Sequence, residues 1–290
     1  MSAPLPSYLA APAKPSFTLP PGSCDAHVHV FGPAAKFPYA AGAPFIPADA
    51  PKEKLFALHA HLGIKHCVIV QTTAHGYDNT VVEDALDAKG GDYLGVALAP
   101  PDVSDAELKR LDGKGFRGVR FNFMQHLGKG ANPEDVIKLS QRLAPLGWHL
   151  QIHFHGEMVH ELVPILKRAA VPVMIDHQGR IDSSKGVDGA DFRAVLEMMR
   201  DPKFHIKVSG SERNSKLPPP WPDSAACAKK LVAEFGDRCV WGTDWPHPNL
   251  NAIPDDGTLT DLLLEIAPSS AARQAVLVDN PQRFYGFGKQ

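Results

Sequence analysis

Short apolar runs recur along the chain, each bounded by glycine, proline or a polar cluster, and stretches of helical spacing lie between them. The runs read "AHVHVF", "HCVIVQT", "YLGVALA", "GVRFNF", "HLQIHF", "VPVMID", "FHIKVS" and "CVWGT", eight in all. They are brief and often β-branched, as strands buried on both faces are. The segments between them carry helix punctuation. "PKEKLFALHAHLG" opens on proline and closes on glycine. "NPEDVIKLSQRLAPLG" offers Asn132 as an N-cap followed by Pro133 at the first helical position. "EMVHELVPILKRAA" holds Pro164, which predicts a kink or a late start.

Eight strand-and-helix units in 290 residues predict an α/β fold, a distorted (β/α)8 TIM barrel in a single domain. A doubly wound open sheet would need a glycine-rich turn after its first strand, and "HVFGPAAKFP" does not provide one. Residues 1–22 are proline-rich and read as an irregular arm, with the barrel over residues 23–290. The longer loops, Phe31–Ala50, Gly179–Gly189 and Gly210–Pro222, follow strand C-termini, the face on which barrels build active sites.

A net charge of −2 and a pI of about 6.7 give no global field for nucleic acid or an anionic membrane. Any affinity for anions must come from local arginines. No apolar run approaches a membrane span, and the N-terminus lacks the apolar centre of a signal peptide. Cys24, Cys67, Cys227 and Cys239 form no C-x-x-C pair, which suggests reduced, buried thiols and a cytoplasmic protein. The sequence leaves the oligomeric state open.

The candidate chemistry lies at strand ends. Strand one carries His27 and His29 with one residue between them, so both imidazoles share a face, and Asp25 is expected to point with them. Strand four carries Arg120 and Asn122 on one face, and strand five carries His149, Gln151, His153 and His155. Strand six runs into Asp176 and His177, and strand eight into Asp244 and His247. In a closed barrel these ends converge on one mouth. Two histidines, a third and an aspartate suit a divalent metal such as Zn²⁺ with one position left for water. An aspartate can then take a proton from that water, and a free histidine can polarise the carbonyl under attack. Gln71, His75 and Tyr77, after strand two, are candidates to line the mouth. His149, at the start of its strand, is expected at the opposite end, and His59, His61, His66, His160 and His205 carry no assigned role.

"DAHVHVFG", "GVRFNF", "IDHQGR" and "WGTDWPHPN" resemble the amidohydrolase superfamily, within it the branch of 2-pyrone-4,6-dicarboxylate lactonase and its relatives. The resemblance implies hydrolysis of a small anionic lactone from bacterial breakdown of aromatic acids. It implies Asp244 as the residue that activates water and His177 as the one that assists the carbonyl. It also implies Arg120, Arg180 and Arg213 as holders of substrate carboxylates, a role that suits the two-pronged guanidinium. Asn122, His126, His247 and His75 join them as candidate substrate contacts. Two departures stand out. The pyrone lactonase works without a metal and has tyrosine where this chain has His153, and it has a further arginine where this chain has His126. The regained histidine implies one divalent metal, zinc, on His27, His29, His153 and Asp244, with His155 as the alternative in strand five. The altered anion pocket favours a muconolactone-type substrate, with 4-sulfomuconolactone included, over the pyrone dicarboxylate. The alternatives are a metal-independent pyrone dicarboxylate lactonase, a decarboxylase or sugar-lactone hydrolase of the same superfamily, and a non-catalytic binding barrel.

Overall fold

The computed structural model describes residues 6–124 and 130–288. The eight apolar runs form β1 (Cys24–Val28), β2 (His66–Val70), β3 (Tyr93–Ala97), β4 (Phe116–Asn122), β5 (His149–His153), β6 (Val173–Ile175), β7 (Phe204–Lys207) and β8 (Cys239–Val240). All neighbours pair in parallel, in chain order. The segment after β8 meets β1 through Ala26 N–H to Trp241 O at 2.8 Å and His29 N–H to Trp245 O at 2.7 Å. The sheet thereby curls into a nearly closed (β/α)8 barrel. Gly242 allows the approach, because a Cβ there would lie 2.5 Å from the His27 nitrogen.

The helices are α1 (Lys52–Leu62), α2 (Thr80–Asp87), α3 (Asp105–Gly113), α4 (Pro133–Leu143), α5 (Val159–Leu166), α6 (Ala190–Met199), α7 (Ser211–Asn214) and α8 (Pro222–Phe235), with further short turns to Tyr285. Asn132 caps α4 by accepting the Glu134 N–H at 2.9 Å. Pro164 lies inside α5, which is short and preceded by a 3₁₀ turn at Gly156–Met158. The short helix α7 falls where the sequence reads as loop.

Two apolar layers result. A small cluster inside the barrel contains Ala26, Val68, Val70, Leu94, Val96, Met174 and Val240, closed at the lower mouth by Tyr285 and Phe287. A larger one fills the space between strands and helices, with Ile69, Val119, Ile152, Phe192 and Leu231. The arm from residue 6 lies along the segment after β8. Tyr8 meets Trp245 with centroids 5.0 Å apart, and Ser16 N–H donates to Asp261 at 2.7 Å.

One expectation fails on geometry. The β1 register shifts between Asp25 and Val28, so Asp25 does not share the face of His27 and His29. Its carboxylate accepts from Thr243 N–H at 3.0 Å and Thr243 Oγ1 at 2.6 Å, and lies 3.4 Å from His59 Nε2 of α1. Asp25 therefore ties β1 to the segment after β8.

Candidate active site

Asp244 is the hub. It follows β8 with φ 63°, a left-handed conformation rare outside glycine, and is 1% exposed. Its Oδ1 lies 3.3 Å from His29 Nε2 and 3.7 Å from His27 Nε2, and its Oδ2 lies 3.8 Å from His177 Nε2. Arg213 Nε, from α7, donates a very short bond to Oδ2. Other left-handed non-glycine residues cluster here too: His177 at φ 49°, Arg180 at 50°, His247 at 59° and Asn249 at 63°. Such conformations persist where the surrounding contacts fix them, and they concentrate at functional sites.

Each imidazole is held by its other nitrogen. His29 Nδ1–H donates to Val70 O at 2.7 Å, which turns Nε2 toward Asp244. His177 Nδ1 pairs with Ser209 Oγ at 3.0 Å, and Gly210 makes room for that ring, since a Cβ there would stand 2.7 Å from His177 Cβ. His27 Nδ1 lies 3.2 Å from both Asp176 Oδ1 and Lys207 Nζ, while its buried Nε2 has no partner. Ligand-type atoms of His27, His177 and Asp244 lie within 4.8 Å of one another. An orphaned buried imidazole nitrogen beside two more imidazoles and a carboxylate fits a divalent metal.

His153 stands apart from that cluster. Its Nδ1 lies 3.0 Å from Arg120 Nη2 and 3.0 Å from Asn122 Oδ1. A guanidinium can only donate, so Nδ1 accepts from it; the Asn122 amide then meets that nitrogen through its NH2 end, and the ring hydrogen sits on Nε2. His153 therefore presents an N–H donor to the cavity rather than a ligand lone pair. His155 is half-buried and begins the 3₁₀ turn after β5.

Beneath the histidines lies a buried ionic layer. Lys207, on β7, is fully buried and donates to Gln151 Oε1 at 2.9 Å. Asp176 Oδ2 accepts from Arg120 Nε at 2.8 Å, and its Oδ1 lies 3.5 Å from Lys207 Nζ. Burial lowers the Lys207 ammonium to about 8. Against the upward push of burial, His27, Arg120 and Lys207 hold the Asp176 carboxyl well below the usual range. Burial likewise pushes Asp244 up, but Arg213, His177, His29 and His27 outweigh it and keep it ionised. Burial drops His177 to about 3 and holds His27 and His153 well below their ordinary value, so all three are neutral at neutral pH.

Above Asp244 opens a cavity of about 220 Å³. Arg120, Arg180 and Arg213 stand in its wall with His29, His153, His177 and Glu212, among apolar and neutral residues that include Phe45, Thr72, Met124 and Leu250. An ionised base, neutral imidazoles and three guanidinium groups around one small space suit hydrolysis of a small anionic carbonyl compound.

The amidohydrolase family model matches residues 24–287. The chain belongs to the amidohydrolase family. A 2-pyrone-4,6-dicarboxylate hydrolase of Comamonas testosteroni is 43% identical over 96% of this chain and 94% of its own length. A 4-sulfomuconolactone hydrolase of Hydrogenophaga intermedia is 39% identical over 93% of this chain and 90% of its own. A solved structure of a probable 2-pyrone-4,6-dicarboxylic acid hydrolase of Acinetobacter baumannii, with citric acid bound, superposes with a TM-score of 0.82 at 25% identity. It covers 92% of this chain and 100% of that one. These relatives are lactone hydrolases by name, and this amidohydrolase shares their framework along nearly its whole length.

Several candidates lie elsewhere. His247 is buried against Asp256 at 3.0 Å and steadies the loop rather than lining the cavity. His75 contacts Pro38 O at 3.2 Å and packs on Tyr39, which holds the loop after β1. Asn122 reaches the site through His153. Gln71 is tied to Asp78 O and Thr72 N–H, and Tyr77 is exposed. His126 lies outside the described residues. Lys207 and Glu212 went unnoticed in the sequence. Lys207 had a usable signal, a lysine two residues after His205 in an apolar strand; Glu212, in an irregular polar stretch, had none.

Proposed function

We propose that this enzyme opens a small anionic lactone of aromatic-acid breakdown, with a muconolactone type, 4-sulfomuconolactone included, favoured. The observation that carries it is Asp244, ringed by three imidazoles at the floor of a cavity walled by three arginines. The Hydrogenophaga relative is named for that reaction. The Acinetobacter relative is described with a polycarboxylate bound.

His27, His29 and His177 through Nε2, with Asp244, would hold a divalent metal, zinc by the donor set. Bound there, it would supply a water acidic enough to be hydroxide near neutral pH. The chain's own residues do the rest. Asp244 orients the attacking water and accepts its proton. Arg213 holds that carboxylate in its weakly basic form in the free enzyme. A substrate carboxylate that competes for Arg213 loosens this hold and lets Asp244 become a better base. His153 Nε2–H and the arginines fix the acid groups, so orientation contributes part of the rate. Attack of that water breaks the acyl–oxygen bond, and the ring oxygen leaves as an alkoxide that takes up the proton held by Asp244; where the same carbon bears a sulfonate, collapse to the ketone expels sulfite. Four free, buried cysteines fit a cytoplasmic catabolic enzyme.

A second reading is metal-independent hydrolysis of 2-pyrone-4,6-dicarboxylate. It is favoured by the identity to the Comamonas relative and by Lys207. An ammonium donating to His27 Nδ1 puts the ring hydrogen on Nε2, where it faces Asp244 instead of a metal. Elemental analysis followed by turnover of both lactones, with and without chelator, separates the two. Bound zinc and chelator-sensitive turnover of 4-sulfomuconolactone are expected. Full activity of metal-free protein on the pyrone selects the second reading, and no turnover of either lactone sinks both.

A further inference from the structure

Among the described residues, Glu212 is the one carboxyl in the cavity wall that neither the metal cluster nor the ionic layer uses. It lies in α7, between the strand end that places Ser209 and the arginine that grips Asp244. Its side chain is 3% exposed, and neither carboxyl oxygen has a hydrogen-bond partner among the described residues. The nearest cation, Arg213 Nε, is 3.5 Å away and already donates to Asp244. An ionised carboxylate buried without a partner is costly, and the proton relieves that cost. Burial, opposed by Arg213 and aided by Asp244, raises the Glu212 carboxyl accordingly.

A Glu212 that carries the proton is an O–H donor that meets no acceptor among the described residues. Its neighbours in the wall are donors as well. Among the described residues Arg180 Nε has no partner, and Arg180 reaches only Asn214 Oδ1 at 3.3 Å. His153 offers its unpartnered Nε2–H. A wall of unused donors selects a ligand rich in acceptors. We infer that Glu212 is a specificity residue that binds as a neutral carboxylic acid, donating a hydrogen bond to a carboxylate oxygen of the substrate beside Arg180. The inference takes its substrate from the proposed lactone reading; the geometry of the donor wall stands without it.

The test compares Glu212→Leu and Glu212→Gln with the wild-type enzyme, by lactone kinetics and by calorimetric titration with citrate. Leucine removes the donor, and a hydrogen bond to a charged group implies a KM and a citrate Kd raised about tenfold to a hundredfold, with kcat little changed. Glutamine keeps an N–H donor in the same place, and it should recover most of that loss. Thermal midpoints of both variants show whether Glu212→Leu is folded, and Glu212→Gln decides the matter if it is not. Three results overturn the inference: Glu212→Leu binding like wild type, Glu212→Gln binding about tenfold tighter, as relief of an ionised repelling group would give, or wild type failing to bind citrate. If no lactone is turned over, the function proposed above fails, and the citrate arm still decides the role of Glu212.

Discussion

At the lower mouth of the barrel His66 stacks on Phe287 with centroids 4.7 Å apart, and Phe284 packs against His149 at 4.8 Å and His205 at 4.5 Å. At the upper mouth His27 lies 5.0 Å from His29 and 4.4 Å from His177. Both ends are therefore ringed by imidazoles from the barrel strands. The difference is what the rings face. Below, the chain's own C-terminal aromatics cover them, and His149 is simply kept neutral, at about 3, by burial. Above, the rings converge on an ionised aspartate, and guanidinium groups border an open cavity. Histidine in a strand does not mark chemistry; a shared carboxylate and room for a ligand do.

The sharpest way to break this contrast is Asp244→Asn. It keeps the shape of the hub and removes the charge and the base. A fall of about a thousandfold in kcat/KM is expected, in the range that general-base loss gives. Steady-state kinetics on the lactone that wild type turns over would show it. A loss below about tenfold would mean that the hub is not the reacting centre. Asp176→Leu probes the layer beneath. It strands Arg120 and Lys207 as buried charges without their shared partner, so unfolding in urea should show a loss of about 3–5 kcal/mol. Near-wild-type stability would show that neither cation depends on Asp176 to stay buried.

Much of this was legible in the sequence, for identifiable reasons. Buried parallel strands announce themselves as short apolar runs, so the eight strands and their order followed from the pattern. Period-two parity put His27 and His29 on one face, and chain order put His177 and Asp244 at the same mouth. Asp25 was misplaced because a register shift breaks that parity, and no local signal marks the shift. The tautomer of His153 depends on Arg120, 33 residues away in sequence, so its donor role was invisible until β4 and β5 were paired. Glu212, and the bond by which Arg213 holds Asp244, arise on a single helical turn too short to leave a periodic trace; Arg213 itself was named from the resemblance.

The lower mouth makes its own prediction. Phe287 is 5% exposed and closes the inner cluster. Phe287→Ala should cost about 3 kcal/mol of unfolding free energy by removing its buried ring. The kcat/KM of the folded enzyme should stay within about twofold, because Phe287 packs in the inner cluster at the lower mouth and Asp244 stands at the upper one. A matching fall in activity would show that the two ends are coupled, and the division drawn between them would have to go.

The smallest effect is the most discriminating, because it compares two histidines with the same titration. His149, at the lower mouth, and His177, at the upper, are each lowered to about 3 by burial. In the unfolded chain both bind a proton near 6.5. Between those values the unfolded state holds more protons, so stability is complete above about pH 6.5 and falls as the pH drops toward 3. Each neutral histidine contributes a slope of about 1.4 kcal/mol per pH unit in that window. His149→Gln should remove one such slope from urea unfolding measured between about pH 6 and 4.5 and leave turnover untouched. In the metal-free protein His177→Gln should remove the same slope, and in the assayed enzyme it should abolish most turnover. If His149→Gln leaves the slope unchanged, that ring is charged in the folded protein, and the lower mouth holds a cation that the aromatic plug does not explain.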